Sequence, residues 1–386
     1  MSEQHAEREH GVTPLELFFD LVFVFGFTQV TTVLSDDPTW SGIGHGLLIL
    51  AALWWAWAAY AWLTNTVYPD EGAVWGSMLV AMAAMFVAAL AVPDVFGRHG
   101  VVFGVAFLIV NVMWLTLYGL AARGDRDLLA AILRSAPSAL AGAALIIAAG
   151  FVHGGLRPVL WLVAIAVGLF GPLLGGTSGW RVEPAHFVER HGLIVIIAIG
   201  ESLVAIGLGA RSTDLGTGVI VAAVLGFVVT TSFWLAYFDF FQMRGQQLLA
   251  ERSGVQRIAL ARDVYTYLHL PMVAGIVLFA FAMKTTLAHV GDELDTIPAL
   301  GLCGGPALYL FAYVALRFRV SRTFGRGRLL AAVACALLWP LAIAVPALVA
   351  LALVAAVWVA LHAYEIIWWR EARSRTRALR VPASAR

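Results

Sequence analysis

The chain has 386 residues, of which 61% are hydrophobic and 13% charged, with a formal net charge of +1. A soluble domain holds about 25% charged residues, so a mean hydropathy of +0.85 excludes an ordinary aqueous globule. The basic residues are scattered through short connections and not gathered on one folded face, which excludes nucleic acid as a partner.

The chain opens on a polar segment, 1–14, in which Thr13 and Pro14 read as the cap and first residue of a helix. The apolar run behind them contains Glu16 and Asp20 and no small-residue cleavage site, so it reads as a first span and not as a removable signal peptide. Apolar runs of about 18 residues or more can each cross roughly 30 Å of hydrocarbon as a helix. They predict spans over 15–34, 42–64, 73–92, 99–122, 134–151, 156–174, 188–210, 215–241, 262–287, 297–317, 328–344 and 346–368. A spanning segment must satisfy its own backbone hydrogen bonds, and the ten-residue alternation of a barrel strand is missing. The expected fold is an all-α polytopic membrane protein of about 12 transmembrane helices. Pro340 and Pro346 mark a very short turn between the last two spans.

Cytoplasmic loops carry the excess of arginine and lysine. With the N-terminus inside, 21 of the 25 basic residues fall on the cytoplasmic side, and only Arg98, Arg157, Arg211 and Lys284 on the other. The expected location is the bacterial cytoplasmic (inner) membrane with both termini cytoplasmic. The Arg-rich tail, 370–386, is suited to anionic lipid headgroups. The lipid bilayer is thus the partner that composition implies, and nothing in the chain specifies an oligomeric state.

Leu15–Val30, LELFFDLVFVFGFTQV, aligns without gaps on Val188–Leu203, VERHGLIVIIAIGESL, setting Glu16 on Glu189 and Thr28-Gln29 on Glu201-Ser202. In the next span of each half, Trp57, Ala59 and Tyr60 match Trp234, Ala236 and Tyr237. The offsets, 173 and 177, are nearly equal in two successive helices. They predict an internal repeat, with a first six-helix half over 15–180 and a second over 181–369. The halves are parallel, because six crossings return the chain to its starting side.

A charge at the centre of a span costs roughly 2.5 to 3.5 kcal/mol on insertion scales, so each one needs a partner or a function. Glu16 and Asp20 share a face of the first span, where two stacked carboxylates would share a proton or hold a cation. Glu16 also suits a helix start, where the dipole favours it. The seventh span opens with Glu189, Arg190 and His191 and runs apolar to Glu201, about 18 Å deeper and near the bilayer midplane. Glu201 lies between Gly200 and Ser202, small residues that admit a neighbouring helix, and reads as a protonated structural group or as a proton- or cation-coupling site. Arg190 suits pairing with Glu16, Glu189 or Asp20 if the first and seventh helices face each other. In the ninth span Asp263, Tyr267 and Pro271 share a face, and His269 lies about 9 Å beyond Asp263. A buried histidine beside tyrosines suits a proton relay or merely a hydrogen bond. The candidate substrate- or ion-binding set is Glu16, Asp20, Glu189, Arg190, His191, Glu201, Asp263, Tyr267 and His269.

No metal or cofactor is expected. Cys303 and Cys335 lie in apolar runs and read as small core residues, and no span carries paired inward histidines at a haem-ligating spacing. The run from Gly171 to Ser178 imitates a phosphate-binding loop but lacks the lysine after its last glycine and follows no strand. Trp54, Trp55, Trp57 and Trp62 read as packing and interfacial anchors in preference to a ligand platform.

The segments TPLELFFDLVFVFGFTQV and HFVERHGLIVIIAIGESLVAIG resemble the hallmark segments of the bacterial low temperature requirement A family. RDVYTYLHLPMVAGI in the ninth span fits as well, so the resemblance covers about residues 12–290. It implies a multi-pass membrane protein associated with growth in the cold, and carries no settled biochemical activity with it. Glu16, Asp20, Glu189, Arg190, His191, Gly200 and Glu201 are the positions that match its motifs.

Twelve spans, a six-plus-six repeat and carboxylates in corresponding helices favour a secondary transporter or ion-coupled carrier. Its cargo is an unknown small solute or ion, with a proton or sodium as the coupling ion, and a polar cavity is expected between the halves. An intramembrane lipid-modifying enzyme with Glu201 or Asp20 as acid or base is the alternative; a non-catalytic membrane protein for cold adaptation is a third. The aqueous loops offer no obvious nucleophile or metal set, which weighs against an enzyme.

Overall fold

A computed structural model of the chain describes residues 11–67, 72–211, 213–239 and 241–368. The first ten residues of the polar N-terminal segment and the tail 370–386 lie outside them. The Thr13 hydroxyl accepts the Glu16 backbone N–H at 3.3 Å while Glu16 Oε2 accepts that of Thr13 at 2.9 Å. With Pro14 in the first turn, this reciprocal cap starts α1 (Pro14–Asp36). Thr39 caps α2 (Trp40–Thr64). There follow α3 (Gly72–Ala91), α4 (Gly100–Ala121), α5 (Arg126–Phe151), α6 (Leu156–Gly175), α7 (Pro184–Arg211) and α8 (Thr217–Phe238). Two short helices, α9 (Phe241–Ala250) and α10 (Gly254–Ala261), lead through a π-helical turn (Arg262–Tyr267) into α11 (His269–Ala288). The described chain ends with α12 (Thr296–Ser321), α13 (Arg326–Leu337), α14 (Trp339–Ala342) and α15 (Ala347–Trp368). Among the described residues there is no strand, and 11 helices are long and apolar enough to cross a membrane.

The span expected over 328–344 is broken. Pro340 has no N–H to continue the helical ladder and its ring clashes with the preceding turn, so α13 stops at Leu337 and α14 is a separate turn. The two pieces still traverse the bundle. Arg328, at the start of α13, reaches Glu365 and the Ala236 carbonyl. At the other end Trp339 donates to the Thr296 carbonyl at 3.1 Å, and Ala347 and Leu348 bond the backbone of Asp292 and Val290. The fifth predicted span also begins eight residues early, at Arg126, because Asp125 caps it there by accepting the Leu128 N–H at 3.1 Å.

Contacts between connections fix which helix ends share a face. Asn65 accepts the Glu183 N–H at 2.5 Å, Arg319 pairs with Asp263 at 2.8 Å, and Arg181 pairs with Asp125, so these ends share what is here called the N-terminal face. On the far face Arg157 donates to the carbonyls of Phe96 and Gly97, and Trp40 meets Trp339 edge-on. At the centre α1, α7 and α11 pack against one another. α1 and α7 run parallel, since Asp20 meets Arg190 and, further along both helices, Thr28 meets Glu201. Taking the traverses in order, the first packs on the second and third, the third on the fourth, the fourth on the fifth, the fifth on the sixth, and the second on the sixth. The same pairings recur from the seventh traverse to the twelfth.

The tightest seam joins α11 and α12. A Cβ on Gly275 would stand 2.5 Å from the Gly305 carbonyl oxygen, and one on Gly305 2.6 Å from that of Gly275. Backbones this close admit only hydrogen at both positions. Gly305→Val is expected to lower stability by about 2 kcal/mol, within the range for overpacked cores, while Gly207→Ala, with nothing within 4 Å of the added carbon, stays near the parent. Thermal unfolding of detergent-solubilised protein followed by size-exclusion checks both; equal midpoints for the two variants would mean the seam can open.

Candidate functional site

The reciprocal cap of α1 turns Glu16 inward, and one turn deeper Asp20 follows it. Into the gap comes Arg190 from the first half of α7, with no solvent exposure. Its Nη2 donates to Asp20 Oδ1 at 3.0 Å and its Nη1 lies 3.8 Å from Glu16 Oε1. His186, one turn earlier on α7, places Nε2 3.1 Å from Glu16 Oε1. Its Nδ1 is met at 3.1 Å by Asn65 Nδ2, which can only donate, so the ring proton sits on Nε2 and faces Glu16. From α2, Trp57 donates its indole N–H to Asp20 Oδ1 at 2.9 Å, and Arg190 lies over the Trp57 ring, 5.9 Å from its centre. Asp20 Oδ2 and Arg190 Nε and Nη1 are buried and make no hydrogen bond, which leaves capacity here for a proton or a small polar guest.

The other candidates lie elsewhere. Glu189 points out of the cluster, is exposed, and accepts the Val12 N–H at 3.3 Å. Glu201 accepts the Thr28 hydroxyl at 2.6 Å, well along α7 from Arg190. His191 donates Nδ1–H to the Phe187 carbonyl at 2.8 Å and stands edge-on to Trp57. His269 bonds the Val264 carbonyl in the π turn through Nδ1 at 2.9 Å, so its Nε2 accepts from the Tyr237 hydroxyl at 3.0 Å. His191 and His269 lie 5.5 Å apart, ring to ring, with Tyr265 stacked on His269. Asp263 is held at the N-terminal face between Arg262 and Arg319, and Tyr267 donates to the Leu169 carbonyl. The structure therefore joins Glu16, Asp20 and Arg190, seats His191 beside them across Trp57, and leaves Glu189, Glu201, Asp263, Tyr267 and His269 outside.

None of these residues lines the cleft that enters from the N-terminal face, between the first six helices and the segment from α10 to the π-helical turn. Trp55, Ala58, Ala59 and Trp62 of α2, Asn111 and Trp114 of α4, Ser135, Ser138 and Ala139 of α5, Trp180, Arg262 and Thr266 border a cleft of about 90 Å³. A narrower extension of about 20 Å³ continues inward past Trp55, Asn111, Phe107 and Gly168. From the far face a vestibule bordered by His45, Phe96, His153 and Arg157 approaches the same helices. Between the two, Phe107, Phe103, Trp161, Phe96 and His45 form an unbroken series of ring contacts, from 5.9 Å at one end to 3.9 Å at the other. Elsewhere on the N-terminal face, the Leu128 N–H and then Arg181 hold the Asp125 carboxyl below its ordinary pKa, so it stays charged.

The sequence reading passed over the cleft and over His186. Asn111, an amide in the middle of an apolar span, and Ser135 and Ser138, one turn apart on the same helix, were the available signals.

Residues 11–363 match the family described as bacterial low temperature requirement A protein (LtrA), and the chain belongs to that family. It is 33% identical over 307 residues to an uncharacterized protein of Rhizobium meliloti (strain 1021), covering 76% of this chain and 74% of the relative. No solved structure matches it.

Removing one partner of a buried ion pair costs about 3–5 kcal/mol, because the charge left behind is uncompensated. Arg190→Met is therefore expected to accumulate poorly in membranes and to unfold well below the parent, and Glu16→Gln/Asp20→Asn/Arg190→Met to recover most of the loss. Fluorescence-detected size-exclusion across a temperature series reads both; a single variant as stable as the triple one would mean the cluster is hydrated.

Proposed function

We propose that this member of the low temperature requirement A family is a secondary carrier that moves a small organic solute across the bacterial cytoplasmic membrane through its first six helices. The observation that supports this most is the pair of cavities entering the α2, α4, α5 and α6 group from opposite faces, with stacked aromatic rings between them. A carrier needs one site reachable from either face in turn and never from both. The cleft wall is drawn mostly from the first six helices, with Ile258, Arg262 and Thr266 contributed from beyond residue 181, where the sequence pointed to the boundary between halves.

The ionic cluster supports coupling. Two carboxylates against one guanidinium leave one negative charge, which a proton on the unbonded Asp20 Oδ2 balances. α2 connects this chemistry to the cleft, because Trp57 touches Asp20 while Trp55 and Trp62 form the cleft wall. The excess of basic residues on the N-terminal side favours a cytoplasmic N-terminal face. The duplication is supported by the recurring pairings and by the Thr28–Glu201 contact, since residues related by a two-fold axis can touch only near that axis.

Cys303 and Cys335 are buried, and a chain with both replaced by alanine and Ser138→Cys added reports access to the cleft. With a membrane-impermeant thiol reagent, labelling is expected from the N-terminal side of the protein at rest and from the opposite side once a proton gradient is imposed. Asp20→Asn is expected to abolish the second labelling without affecting the first. Labelling confined to one face under every gradient would refute a carrier and leave a one-sided binding pocket.

A further inference from the structure

The walls of the cleft are selective in shape and in sign of charge. Rings from α2, α4 and the α6–α7 connection face it: Trp55, Trp62, Trp114 and Trp180. Two of them are locked in place, since Trp62 donates its indole N–H to the Thr266 hydroxyl at 2.9 Å and Trp114 donates to the Ala59 carbonyl at 2.9 Å. Fixed flat walls favour a flat guest, which stacks on them with little loss of side-chain freedom. The polar groups are few and largely committed. Asn111 spends an amide N–H on the Phe107 carbonyl at 2.8 Å, and the hydroxyls of Ser135 and Ser138 donate to the backbone of their own helix. Such a wall orients a mostly apolar guest at one or two points.

Charge supplies the second constraint. Among the residues lining the cleft Arg262 alone is ionised, and no carboxylate faces it. Arg262 uses Nε and Nη2 on Asp263 Oδ1, at 3.0 and 2.8 Å. Asp263 is shared, because Arg319 donates Nε to its other oxygen at 2.9 Å. Two guanidiniums against one carboxylate leave a net positive charge at the mouth. Tryptophan faces by themselves attract organic cations, but here a cation would meet that positive charge with no counter-ion in the wall.

We infer that the cleft binds a planar aromatic molecule bearing one anionic group, its rings among Trp55, Trp62, Trp114 and Trp180 and its charge at Arg262. This names the substrate class of the carrier proposed above and rests on that reading for its physiological meaning. The binding site itself does not.

Naphthoate is the probe, against naphthalenemethanol as its neutral counterpart, naphthylmethylammonium as the cation and decanoate as an aliphatic anion. Each is titrated calorimetrically into the full chain in lipid nanodiscs. Naphthoate is expected to bind at least about tenfold more tightly than the other three, the scale of one charge-assisted hydrogen bond. Arg262→Gln is expected to erase that preference while leaving the alcohol's affinity unchanged. Ala139→Phe, which fills the cleft and leaves the ion pairs alone, is expected to weaken both ligands, and it carries the test if Arg262→Gln does not fold. Tighter or equal binding of the alcohol, the cation or decanoate overturns the inference, as does naphthoate binding that survives Ala139→Phe, or no binding at all. Naphthoate binding combined with one-sided labelling of Ser138→Cys would reject the carrier and keep the aromatic-anion site; two-sided labelling without naphthoate binding would do the reverse.

Discussion

A guanidinium 3.0 Å from Asp20 and 3.8 Å from Glu16, with no exposure, has no water to replace either partner. α1 and α7 therefore cannot separate without leaving three charges in hydrocarbon, a cost of several kcal/mol for each ion. That constraint propagates. Trp57 bonds the same Asp20 oxygen and so sets the rotation of α2 about its axis. With Trp57 turned to the cluster, Trp55 and Trp62 are carried to another side of the helix, into the cleft. Thr266 secures the arrangement by accepting from both Trp54 and Trp62, through its carbonyl and its hydroxyl. The π-helical turn containing Thr266 also leaves the Val264 carbonyl to receive His269.

What could be read from the sequence follows from which signals survive without coordinates. A charge in an apolar run stands out, so Glu16, Asp20 and Arg190 were found and their pairing anticipated once the first and seventh spans were aligned. Glu201 stood out for the same reason, but its partner, Thr28, is an ordinary hydroxyl, and the alignment that made the two equivalent gave no sign that they touch. Apolar length gave the traverses but neither the start of the fifth, which the Asp125 cap sets, nor the break in the eleventh, because hydropathy does not register the N–H that Pro340 lacks. The cleft was not legible at all. It is made of space left by small residues such as Ala58, Ala59, Ala139 and Gly168, bordered by tryptophans that read equally well as packing.

The first six traverses and the last six share a pattern of helix pairings but fill it differently. Where the first six are open among α2, α4, α5 and α6, the helices at the same places in the last six, α8, α12, α13 and α15, are bound together by large side chains. Phe233 packs on Tyr309 and Trp358, Tyr309 donates to the Phe233 carbonyl at 2.8 Å, and Arg328 runs in to reach Glu365 and the Ala236 carbonyl. Arg328 also lies over the Tyr313 ring at 3.8 Å. The later traverses are thus filled where the earlier ones are open, and among them the α11–α12 seam closes backbone to backbone. On the carrier reading this is a division between a scaffold and a moving part, with α1 and α7 as the joint.

The size of the charge effect at that joint bears on how coupling would work. Two unit charges about 4 Å apart interact by roughly 4 kcal/mol at the effective dielectric of about 20 that suits partly buried sites. Turning a two-state protein from about 1:99 to 99:1 takes roughly 5.5 kcal/mol. On the carrier reading, a single proton at Asp20 thus falls short of reversing the bundle by itself, and so does a solute whose differential affinity for the two states is a few kcal/mol. Together they exceed it. A carrier in which neither ligand alone is sufficient does not leak either one, and that is the condition for obligatory coupling. On the carrier reading the geometry suits it, since the proposed proton site and the proposed solute site lie on different sides of α2 and would act on the same helix through Trp57 and through Trp55 and Trp62.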